Sequence, residues 1–172
     1  MNRLGLAATV GFVLLLGGCG YRVAGHADAL PKNIKTIAIP AFGNQTTLYH
    51  LADRLSADIT REFISRTRYR VVADPVAADA VLKGSVVKSY SSATTLDPVS
   101  NRASSALISV SISLTLTDRA TGKVIYSRNL DAHDRYEISP KSDTYFEESS
   151  AALGRISRDV ARDVVSAILE KF

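Results

Sequence analysis

Among its 172 residues the chain has a single cysteine, three histidines and one extended uncharged apolar run. A lone cysteine cannot form a disulfide within the chain, so the fold must rest on its core. His26, His50 and His133 are far apart, and none has a second ligand at a metal-binding spacing, so no metal site is expected. His133 precedes Asp134, but neighbours on a strand point to opposite faces and would not meet as an acid–base pair. There is no G-x-S-x-G elbow and no glycine-rich phosphate loop. No catalytic residue and no cofactor is assigned, and an enzyme would need a site assembled from scattered residues. Charge is also sparse in its imbalance: the formal net is +4, which by itself selects no partner.

The apolar run, Leu4 to Leu16, falls short of the about 20 residues that a spanning helix needs. Asn2 and Arg3 precede it, and Leu16, Gly17 and Gly18 lead into Cys19. A short positive start, a brief apolar stretch and small residues at its end form a secretory signal. With cysteine next, the stretch resembles a bacterial lipobox, in which Cys19 is acylated and becomes the first residue of the mature chain. An ordinary signal peptide beside a free cysteine, or a short membrane anchor, would explain the run but not the coincidence of all three features. Buried acyl carbons contribute about 0.8 kcal/mol per CH₂, and several chains together hold where one does not. Gly20, not Asp, follows the cysteine, which by resemblance to lipoprotein sorting favours export to the outer membrane. Cys19 is thus expected to be a lipid anchor on the periplasmic face, not a nucleophile. Residues 1–18 are read as signal peptide, 19–33 as a lipidated tether and 34–172 as one domain, long enough for a sizeable core. Loss of Arg3 with the signal lowers the net charge by one. For an exported protein, nucleic acid is a poor candidate partner; anionic lipid, glycolipid or another envelope protein fits better.

Along the mature chain, "IKTIAIPAF" predicts a short strand with Ile37 and Ile39 on one face, stopped by Pro40. A helix follows, with Leu48, Leu51, Leu55, Ile59 and Phe63 as its stripe and Thr46 or Thr47 as its cap. Arg61, Arg66 and Arg68 lie towards its end, where cations complement the helix dipole. "YRVVADP" predicts a second strand, and Asp74–Pro75 a brief helical turn. "ADAVLKGSVVKSY" begins a third strand, and "SSATTLDPVSNRAS" reads as a long polar connection. The fourth strand has the strongest signal: Ile108, Val110, Ile112, Leu114 and Leu116 alternate with Ser109, Ser111, Ser113 and Thr115. "DRATGK" supplies a hairpin turn in which Gly122 takes a positive φ, and "KVIYSRNLDAHDRYEI" returns as a fifth strand. Thr144 with Glu147 fits a capping box for a last helix whose stripe is Leu153, Ile156, Val160, Val164, Ile168 and Phe172. The fold class is α+β, with two helices packed on one face of a mixed, largely antiparallel sheet of four to five strands.

"GCGYRV", "LPKNIKTIAIPAFGNQT", "YRVVADPVAADAVLKGSV" and "LTLTDRATGKVIYSRN", in that order, resemble the LptE family of lipopolysaccharide-assembly lipoproteins. The resemblance implies an outer-membrane lipoprotein that plugs the large β-barrel LptD, assists its folding and contacts lipopolysaccharide bound for the outer leaflet. Such a plug needs a polar outward face, which Ser109, Ser111, Ser113 and Thr115 would provide; the plainer reading is that they face solvent. Their lack of charge favours a covered face, since solvated strands tend to carry Lys or Glu. Lipopolysaccharide presents phosphates, so loop cations are its natural contacts, and Arg102 and Lys141 are the candidates; the plainer reading is two solvated cations. "IAIPAFGNQT" also resembles the opening strand of curli-secretion pores and of lipoprotein activators of peptidoglycan synthases. The pore would need an added pair of membrane-spanning strands, which the sequence lacks. An activator needs only a binding surface and stays open as the alternative.

Overall fold

The computed structural model describes residues 30–138 and 145–170, with side chains in the last helix from residue 149. In chain order the elements are β1 (Thr36–Ala38), β2 (Gly43–Asn44), α1 (Tyr49–Arg66), β3 (Arg70–Val72), β4 (Ala80–Leu96), β5 (Ala103–Asp118), β6 (Val124–Glu137) and α2 (Tyr145–Glu170). The strands form one mixed sheet in the order β3-β1-β4-β5-β6, and β2 adds to the same edge of β4 beyond β1. Pairing is parallel among β1, β2, β3 and β4, and antiparallel through the long β4–β5–β6 meander.

Alternation along β5 places Ala106, Ile108, Val110, Ile112, Leu114 and Leu116 on the helix-covered face, all buried. The α1 stripe arrives as expected: Leu51, Leu55, Ile59 and Phe63 are buried, and Leu48 packs against the same core. From α2, Ile156, Val160, Val164 and Ile168 complete it, while Phe172 lies outside the described residues. The helices lie side by side and parallel. Arg54 donates to the Ser150 carbonyl near one end, and Arg66 to Ser166 Oγ at the other. Between these, Asp58 accepts from Ser157 Oγ at 2.7 Å and from Arg61 at 2.6 Å. A carboxylate buried between two helices is tolerable only with such partners.

Two glycines have stated work. Gly122 (φ +69°) turns the β5–β6 hairpin as expected, and Asp118 accepts the amides of Ala120 and Thr121 there. A Cβ on Gly84 would come within 2.4 Å of the Phe42 ring, so glycine is what lets that ring lie flat on β4.

The structure corrects several local expectations. "SSATTLDPVSNRAS" is not a long connection, because β4 runs on to Leu96 and β5 begins at Ala103. Serine and threonine on both faces of this stretch left no alternation to read, yet their backbones pair from Ser91 to Leu96 across β5, with slips at Thr95. Neither Thr46 nor Thr47 caps α1; the cap position is Leu48, and Thr46 Oγ1 accepts the Leu48 amide in a turn before the helix. Asp74 closes a turn through the Val76 and Ala77 amides and starts no helix. Of the three arginines near the end of α1, only Arg66 stands in its last turn. The short β2 had no sequence signal. The Thr144–Glu147 capping box lies outside the described residues.

Candidate functional site

Both helices cover one face of the sheet; on the other, among the described residues, a small cluster of Ala38, Ala78 and Val81 is buried at the β1 end, and the rest of that face is bare. Ser109, Ser111, Ser113 and Thr115 run down the middle of this bare face, each half-buried. Their cross-strand partners change the reading of its charge. Register sets Lys83, Lys88 and Tyr90 of β4 on one flank, and Asp131 and His133 of β6 on the other. Ser111 Oγ donates to Asp131 Oδ1 at 2.6 Å. The surface is therefore a hydroxyl row between two charged strands, hydrogen-bonding along its length and lacking an apolar patch.

The β4–β5 hairpin projects past the helices, so residues 91–96 are exposed on both faces. At its tip, Arg102 is exposed on a tight turn: the Asp97 amide donates to the Arg102 carbonyl at 2.8 Å, and Asn101 adopts φ 53°. Asp97 accepts from the Ser100 amide and hydroxyl and from the Val99 amide. These bonds, led by the Ser100 amide, hold its carboxyl below the usual carboxylate range. The acid at the tip is thus occupied by its own turn, while the Arg102 guanidinium faces solvent. Lys141 lies outside the described residues. Ile138, three residues before it, donates its amide to Ser104, two residues after Arg102.

Beside the hairpin, a cleft of about 620 Å³ opens between the first turns of α1 and α2 and the sheet, walled by Leu48, Tyr49, Leu51, Ile108, Tyr136 and Leu153. His133 and Asp134 occupy opposite faces, as strand geometry requires; Asp134 instead accepts from Arg155 Nε at 2.6 Å. Arg155 also donates to the Arg135 carbonyl and so covers part of the β6 edge. No group of three metal-ligating side chains and no helix able to cross a membrane occurs among the described residues. What the surface offers is a long polar sheet face and a hairpin tip that exposes one guanidinium.

The model of the lipopolysaccharide-assembly family LptE matches residues 34–168. The chain belongs to the LptE family. Membership implies a role in lipopolysaccharide assembly. A sequence comparison with curated proteins gives no match. Among solved structures, this LptE-family chain is similar to the rare lipoprotein B of Shewanella oneidensis (TM-score 0.54, 10% identity, 79% of this chain and 95% of that one). It is also similar to an uncharacterized lipoprotein B of Nitrosomonas europaea (TM-score 0.53, 16% identity, 88% and 96%). A third, the PelC dodecamer of Paraburkholderia phytofirmans, has TM-score 0.54 at 15% identity over 84% and 92%. At such identities the likeness is one of fold.

Proposed function

We propose that this LptE-family protein is an outer-membrane lipoprotein, anchored through Cys19, that assists assembly of the lipopolysaccharide-export β-barrel and sits within it as a plug. Its barrel partner is of the LptD type, and the signal peptide and tether are residues 1–18 and 19–33. The observation that carries the reading is the bare, hydroxyl-lined sheet face. A polar strand row between charged flanks suits the polar lumen of a large barrel, and Ser109, Ser111, Ser113 and Thr115 are its contact residues. Gentle extraction of the outer membrane, with a tag at Phe172, is expected to recover one large β-barrel with the protein. Recovery of a peptidoglycan synthase instead would replace this reading with that of an activator.

Arg102 and Lys141 are proposed to contact lipopolysaccharide phosphates. The exposed guanidinium at the hairpin tip, and the hydrogen bond from Ile138, just past the end of β6, to Ser104 beside that tip, support a shared site. Replacing both with Asp is expected to lower lipopolysaccharide binding while leaving the fold intact, since exposed substitutions usually stay within about 0.5 kcal/mol. Binding by the unmutated protein should also weaken with salt, because exposed charges are screened over about 8 to 10 Å at physiological ionic strength. A fluorescence titration alongside circular dichroism reads both effects. Unchanged binding by a folded double variant would remove the pair from the site.

A further inference from the structure

We propose that the end of the domain from which the chain emerges is a docking surface for anionic phospholipid headgroups, those of the leaflet that holds the anchor. Leu30 is the first described residue; its side chain is buried, and its amide donates to Tyr69 Oη at 3.0 Å. The chain is therefore pinned as it enters the fold. Around that point Lys32, Lys35 and Arg68 line a pocket of about 370 Å³ with Leu30, Pro31, Ile34 and Tyr69, and among the described residues no acid lines it.

The sheet brings further cations to the same end. Thr36 pairs with Arg70, which places Arg70 beside the start of β1. Arg119 and Lys123 belong to the β5–β6 turn, whose Arg119 amide donates to the Asp79 carbonyl just before β4. All six residues are exposed and none is within ion-pair distance of an acid among the described residues, although Arg119 Nε donates to the Ala78 carbonyl at 2.6 Å and its charge helps to hold the Asp79 carboxyl low. The neighbouring acids are turned inward. Asp79 accepts from the Lys35 amide and from the Thr36 amide and hydroxyl, each at 2.9 Å. Asp118 is buried, accepting from two turn amides and from Asn33 Nδ2. Glu170 at the end of α2 contributes one exposed carboxylate against the six cations. Asp79 and Asp118 stay ionised, held inward by these hydrogen bonds, so this end sets six exposed cations against the carboxylates of Asp79, Asp118 and Glu170.

Position selects the ligand. The hairpin tip with Arg102 stands at the other end of β4, and a 17-residue strand spans about 55 Å. The cationic end is therefore remote from the proposed lipopolysaccharide contact. Leu30 follows Cys19 by only 11 positions, a reach of at most about 40 Å. With acyl chains on Cys19, the six cations are confined near the leaflet surface, where each Lys or Arg strengthens attachment to anionic lipid roughly fivefold. This placement rests on the anchor reading; the test below does not.

The mature polypeptide carrying Cys19→Ala, residues 19–172, contains every described residue and has no acyl chain. It is expected to bind phosphatidylcholine vesicles containing phosphatidylglycerol, not phosphatidylcholine vesicles alone, and to release them as salt rises. Lys32→Gln, Lys35→Gln and Arg68→Gln together should lower that affinity by about a hundredfold. Arg70→Gln with Lys123→Gln, on other elements of the same end, should lower it by about twenty-five-fold and serves if the triple variant melts early. Indifference to phosphatidylglycerol, or full affinity in both multiple variants, would overturn the proposal. So would variants that lose lipopolysaccharide binding yet keep that of phosphatidylglycerol. Incorporation of a palmitate analogue at Cys19 in cells reports on the anchor alone, so the two readings fail separately.

Discussion

Ile112→Asp is expected to leave the domain largely unfolded at room temperature, whereas Ser113→Asp, one residue along, is expected to leave it folded. Ile112 is 1% exposed in the middle of β5, opposite Val86 on one side and Leu130 on the other. An aspartate there loses the packing of a large aliphatic side chain, about 2–5 kcal/mol. It also places a carboxylate where no donor waits, at a further cost of several kcal/mol or of protonation. Together these approach the 5–15 kcal/mol that holds a typical domain folded. Ser113 points to the bare face, between Ser85 and Asn129, where a carboxylate remains hydrated. Its nearest like charge is Asp131, opposite the adjacent same-face residue Ser111, so the cost should be about 0.5–1 kcal/mol. Thermal melts followed by circular dichroism separate the two. Equal losses in Tm would mean that the two faces of β5 have been assigned wrongly. Inside the proposed barrel complex the order changes, because Ser113→Asp puts a charge into the interface and should reduce recovery of the barrel.

Cys19→Ala is expected to abolish acylation and to release the protein from the outer membrane. The effect should be all-or-none because the attachment is covalent chain burial: each CH₂ contributes about 0.8 kcal/mol, and removing the sulfur removes every acyl carbon. The cationic end proposed above would leave only a weak, salt-sensitive association. Growth with a palmitate analogue, followed by membrane fractionation in high salt, reads both label and location. Label persisting on the variant would end the lipobox reading.

The elements that the sequence by itself determined share one property: each has an apolar stripe at a single, uninterrupted period. Leu51, Leu55, Ile59 and Phe63 recur at helical spacing and are buried as one face of α1. Ile108 to Leu116 recur at spacing two, and every member is in the core. Gly122 was legible because only a residue free to take positive φ closes that turn without strain. The family words and the lipobox were likewise local, readable without any knowledge of which segments meet.

Only the tertiary structure decided what depended on neighbours. Ser91 to Leu96 became strand because β5 offered amides and carbonyls to pair with, although their side chains carried no alternation. β2 is two residues held to β4 beside Ser85 and Val86, too short for any periodic signal. The serine row looked free of charge along its own strand, yet register set Lys83 and Lys88 on one side of it and Asp131 on the other. The cationic end was the least legible feature. Lys32, Lys35, Arg68, Arg70, Arg119 and Lys123 come from three separate stretches, and the carboxylates between them are held inward by backbone amides. Sequence spacing carries the period of one element. Which charges stand together, and which are held inward by the backbone, follows from packing those elements against one another.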